Sequence, residues 1–66
     1  MLDPKYGMLV EDASGEVFKV MTPMRTRHKL VAVVVCRADR KTGRVIDMPT
    51  TLGLSDWEDM KDYPIS

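Results

Sequence analysis

The sequence predicts one small α+β domain, mainly β, spanning residues 1–66. Two antiparallel hairpins are expected to form a small, strongly curled sheet or partial barrel, with a short helix at the C-terminus. Three observations carry this expectation. Two polar, Gly-containing turns, Asp12-Ala13-Ser14-Gly15 and Ala38-Asp39-Arg40-Lys41-Thr42-Gly43, separate segments suited to strands. The run Leu30–Cys36 is wholly apolar and rich in Val, which favours an extended chain. Ser55 followed three residues later by Glu58 has the form of a capping box, which marks a helix start.

In chain order, Tyr6, Met8 and Val10 alternate with Gly7, Leu9 and Glu11, as in a strand. The Asp12–Gly15 turn then leads into Glu16–Met21, where Val17, Phe18 and Val20 suit the second strand of a hairpin. Thr22-Pro23 is expected to end it, because Pro has no N–H and restrains its predecessor. Residues 25–37 read as one long strand. Period two puts Leu30, Ala32, Val34 and Cys36 on one face and Val31, Val33 and Val35 on the other. Both faces are apolar, so both need cover. After the second turn, Arg44–Met48 is expected to return as a strand until Pro49, and Thr50–Gly53 to be a connector. A helix is expected from Ser55 to Asp62, ending before Pro64. Trp57 and Met60, three apart, share one of its faces.

At 66 residues the chain buries only about 60% of its unfolded surface, so a homodimer or a permanent partner is an expected source of stability. One Cys and one His cannot form a disulfide or fill a four-ligand zinc site, so no metal is expected. The start Met1-Leu2-Asp3-Pro4-Lys5 lacks the pattern of a secretory signal. The longest apolar run is far shorter than the roughly 18–20 residues that span a bilayer. A reduced, cytoplasmic protein without membrane attachment is the expectation.

The formal net charge is zero, yet the charges are sorted. Residues 1–16 hold one Lys and four acids. Residues 17–46 hold eight Lys or Arg and one acid. Residues 47–66 hold one Lys and five acids. The sums are −3, +7 and −4. Sorting of this kind points to a partner-facing surface, or to internal neutralisation of a basic hairpin by an acidic tail.

Two groups of residues are candidate sites. Asp56, Trp57, Glu58, Asp59, Met60 and Tyr63 form an acidic, aromatic C-terminal group, in which Trp and Tyr can anchor a protein partner. Arg25, Arg27, Lys29, Arg37, Arg40, Lys41 and Arg44 form two basic clusters able to contact phosphates. Catalysis finds little support. Cys36 lies in the apolar strand, His28 has no nucleophile arranged with it, and no phosphate-binding Gly loop is present. No catalytic residue and no cofactor are expected.

The Asp12–Gly15 hairpin followed downstream by Leu54-Ser55-Asp56-Trp57-Glu58 resembles small phage inhibitors of uracil-DNA glycosylase, in which an aromatic plugs a DNA-binding groove. The resemblance implies that Trp57, flanked by acids, could act as such a plug. The long basic hairpin between the two pieces departs from that pattern, and no family is assigned. The first reading is therefore a non-catalytic protein-binding module, a small modulator or inhibitor of phage or mobile-element type. The alternatives are a nucleic-acid-binding β-module using section 25–44, and a structural or assembly subunit.

Overall fold

The apolar run Leu30–Cys36 lies within a five-stranded antiparallel sheet in the computed structural model, which describes residues 1–64. The strands are β1 (Leu9–Glu11), β2 (Val17–Thr26), β3 (Lys29–Arg37), β4 (Thr50–Gly53) and β5 (Lys61–Asp62). One helix, α1 (Leu54–Glu58), lies between β4 and β5. The sheet order is β4-β3-β2-β1-β5. β4 and β5 are separate edges, so the sheet is open and not the strongly curled or barrel-like form that the doubly apolar β3 suggested. Among the described residues no helix is long and apolar enough to cross a membrane.

Burial explains the arrangement. Val10, Phe18, Val20, Val33, Val35, Trp57 and Met60 form the core, with Leu2, Met8, Leu30 and Leu52 packed against it. The chain leaves β4 at Gly53, forms α1 and reaches β5, which pairs with β1. This path lays Trp57 and Met60 into the core. Trp57 is fully buried, and its indole N–H donates to the Leu2 carbonyl over 2.8 Å, so its one polar atom is satisfied. Val17, Cys36 and Ala38 are also buried, at the end of the sheet where the segment after β3 folds back through an Ala38–Val45 bridge.

Several boundaries differ from expectation, each for a physical reason. β2 runs through Pro23 to Thr26. β1 pairs with β2 only over Val17–Lys19, so no strand ladder on that side needs the missing N–H of Pro23. The expected 25–37 strand is broken by a two-residue turn at Arg27-His28, which makes β2 and β3 a long hairpin. The expected Arg44–Met48 strand is reduced to the single Ala38–Val45 bridge, and the supposed connector Thr50–Gly53 is the strand that pairs with β3. The Ser55–Glu58 capping box does not form. Gly53 occupies the extended N-cap position, and Ser55 lies inside the helix. α1 ends at Glu58 and not at Asp62, because Lys61–Asp62 pairs with β1.

The first hairpin loop is built as expected. The Asp12 carboxylate accepts from Ser14 N–H (2.9 Å), Ser14 O–H (2.7 Å) and Glu16 N–H (2.9 Å), while Gly15 takes a positive φ of 92°. The Ser14 hydroxyl bond, helped by backbone N–H groups, outweighs slight burial and holds the Asp12 carboxyl below its ordinary value of 3.8. A lowered folded pKa means that Asp12 stabilises the fold above the unfolded value and stops doing so as pH falls through the lowered one. The melting-temperature gap between wild type and Asp12→Ala is therefore expected to be present at neutral pH and to close on acidification below the ordinary value.

Candidate functional site

The β2–β3 hairpin runs past the strands that flank it. β1 pairs with β2 only over Val17–Lys19, and β4 pairs with β3 only over Ala32–Val35. Beyond these positions the hairpin is a two-stranded ribbon with no third strand beside it. The described residues extend 36 × 20 × 18 Å. Two register shifts, between Val20 and Thr22 and between Met24 and Arg25, add twist along the ribbon.

The ribbon ends in a two-residue turn with φ of 50° at Arg27 and 71° at His28. Two successive left-handed residues make the tight hairpin turn whose twist matches its strands, a position usually filled by Asn-Gly. Here two bulky side chains occupy it, at about 1–2 kcal/mol of strain per residue. Arg25, Arg27, His28 and Lys29 are all exposed around this tip. Arg25 pairs with Asp3 at 3.1 Å. Arg27 and Lys29 have no ion-pair partner among the described residues. Replacing Arg27-His28 with Asn-Gly is expected to raise stability by about 1–2 kcal/mol. That corresponds to roughly 4–8 °C per kcal/mol in a domain of this size, read by thermal melting.

The second basic cluster is largely neutralised inside the molecule. Arg37 pairs with Glu16 at 3.1 Å and with Asp47 at 3.9 Å. Arg40 pairs with Glu11 at 2.9 Å, donates to the Gly15 carbonyl and lies over the Tyr63 ring at 5.3 Å. The Glu11 bond raises the guanidinium pKa of Arg40 above its ordinary value. Lys41 and Arg44 are exposed on the Asp39–Arg44 turn, where Asp39 accepts from the backbone N–H groups of Lys41 and Thr42. The Thr42 bond, then the Lys41 bond, lowers the Asp39 carboxyl pKa. The seven basic residues thus divide into an outward-facing tip and a cluster half absorbed by structure. Among the described residues, the acids that neutralise Arg25, Arg37 and Arg40 are Asp3, Glu11, Glu16 and Asp47; of the five acids in 47–66, Asp47 alone takes part.

The C-terminal group is also divided. Trp57 is 0% exposed and Met60 7%, so neither is an accessible anchor. This corrects the reading of Trp57 as a surface plug. The cause is the small size of the core, which draws in the chain's one indole. Tyr63 is half-buried and donates its hydroxyl to the Arg40 carbonyl at 2.9 Å. Asp56, Glu58 and Asp59 remain exposed, without ion-pair partners among the described residues. The strained tip turn had no signal in the sequence, because Arg-His is not a residue pair that announces such a turn. Compared with known proteins, the chain matches no family model, no curated protein and no solved structure.

Proposed function

We propose that this protein is a non-catalytic binding module that seats its β2–β3 ribbon on the phosphate backbone of a nucleic acid. The observation carrying the proposal is the ribbon tip, where Arg25, Arg27 and Lys29 are exposed around a tight two-residue turn. A two-stranded ribbon has the width of the B-DNA major groove, about 12 Å. Arg suits bidentate contact with phosphate. The tip has no Phe, Tyr or Trp, so contact is expected to run mainly through the backbone and not through base stacking. Burial of Trp57 and Met60 counts against the plug-like inhibitor mechanism and moves the balance towards this reading.

The test is a salt titration of binding to a labelled DNA duplex, followed by anisotropy. Two or three phosphate contacts predict a log-log slope between about −2 and −3. Absence of binding at low salt would overturn the proposal. A protein partner is the second reading, favoured by the unpaired exposed carboxylates of Asp56, Glu58 and Asp59 on one short element.

A further inference from the structure

Besides the unpaired Lys41 and Arg44, the internal ion pairs leave two concentrations of unmatched charge among the described residues. One is the ribbon tip with Arg27 and Lys29. The other is a groove of about 310 Å³ between α1 and the β1–β2 loop. Asp56 and Asp59 form one rim, Asp12 stands on the other, and Phe18, Leu52 and Met60 make an apolar floor. The ribbon matches both features of this groove. Its tip is cationic, and Met24 and Val31 just behind the tip are 45% and 46% exposed. The match cannot close within one chain. Phe18 stands near the start of β2 and the tip at its far end, about 25 Å away at roughly 3.3 Å per residue. Pairing along the whole ribbon keeps it from folding back.

We propose that two copies of this chain associate head to tail, with the ribbon tip of one seated in the acid-rimmed groove of the next. Arg27 and Lys29 meet the carboxylates of Asp56 and Asp59, while Met24 and Val31 approach the apolar floor. A net charge of zero suits this arrangement, since each copy carries both halves of the match. The two surfaces differ, so the contact is heterologous and generates rings or open chains. It joins exposed charges and is screened by salt. The proposal rests on the reading of the tip as the binding end, and it makes self-association and nucleic-acid binding mutually exclusive.

Sedimentation of the full chain, without nucleic acid, tests this across a concentration series at low salt and at 1 M salt, where the Debye length is about 3 Å. Three proteins are compared: wild type, a tip variant (Arg27→Glu with Lys29→Glu) and a groove variant (Asp56→Lys with Asp59→Lys). All substituted side chains are exposed, and Trp57 fluorescence checks that each variant is folded. Wild type is expected to rise above the mass of one chain at low salt and return to it at high salt. Each variant alone is expected to stay at the mass of one chain, and their equimolar mixture to regain association. A wild type that remains a single chain at every concentration overturns the proposal, as does a folded groove variant that associates like wild type. The groove variant also separates the two claims, because it should still bind the DNA duplex. A folded groove variant that stays at the mass of one chain and yet binds no duplex, with wild-type self-association intact, would remove the nucleic-acid reading and leave this one standing.

Discussion

Replacing Trp57 with Ala is expected to unfold the domain. Truncating a fully buried aromatic costs about 3–5 kcal/mol in transfer and cavity terms. A chain of this length has roughly 3–10 kcal/mol in total, from the usual stability per residue. Trp57 lies among Val10, Val20, Val33 and Val35, and no second aromatic joins them except Phe18. Its indole N–H also ties the N-terminal segment to the helix through Leu2. Trp57→Phe keeps most of the volume and removes that bond, leaving the Leu2 carbonyl without its donor. The expected loss is smaller, on the order of 1–3 kcal/mol. Chemical denaturation of the two variants measures both. A Trp57→Ala protein as stable as wild type would contradict the core assignment and restore Trp57 as a surface anchor.

The second large effect concerns binding. Reversing the tip with Arg27→Glu and Lys29→Glu is expected to weaken duplex binding on the order of a hundredfold at about 0.1 M salt, because each lost phosphate contact removes about 0.9 from the salt exponent. The salt slope should fall by about 2. Stability should hardly change, since neither residue has an ion-pair partner among the described residues. Reversing Arg37 and Arg40 should do the opposite. Those guanidiniums are engaged with Glu16, Asp47 and Glu11, so the main result is lost stability, limited to about 1 kcal/mol per exposed pair. The two basic clusters look alike in the sequence, and this pair of variants distinguishes them.

What the sequence made legible follows from local physics. The Asp12–Gly15 turn was readable because Asp, Ser and Gly each supply a group that the turn needs. The Val-rich run was readable because its composition suits a strand in any context. The mainly antiparallel β character with one short C-terminal helix was also correct. What could not be read depended on distant partners. Thr50–Gly53 is a strand because β3 offers a ladder beside it, although Thr-Thr-Leu-Gly has little pattern of its own. The helix ends early because Lys61 and Asp62 find Glu11 and Val10 across the sheet. Ser55 and Glu58 have the spacing of a capping box, yet the chain enters the helix two residues earlier, with Gly53 as N-cap. Pro23 signals a stop, and no ladder on the β1 side of β2 reaches it.

The candidate site shows the same division. Alternation would put Arg25, Arg27 and Lys29 on one face of an extended strand; the Arg27-His28 turn breaks that strand, and it is the hairpin that gathers the three around its tip. Their separation from the Arg37–Arg44 group was also visible from strand length. The fate of each charge was not visible. Whether an arginine is absorbed by a neighbour or left outward depends on which loops meet, as Arg40 meets Glu11, Gly15 and Tyr63 across the body. The placement of Trp57 depended in turn on whether the core could close without it.

The ribbon tip is the proposed binding end. The most direct measurement is a two-dimensional NMR titration of the isotope-labelled chain with a short DNA duplex at low salt. Backbone shifts confined to Met24–Val31, reversed by added salt, are the predicted result. Shifts centred on Lys41 and Arg44 or on α1, or a spectrum unchanged by saturating duplex, would contradict it.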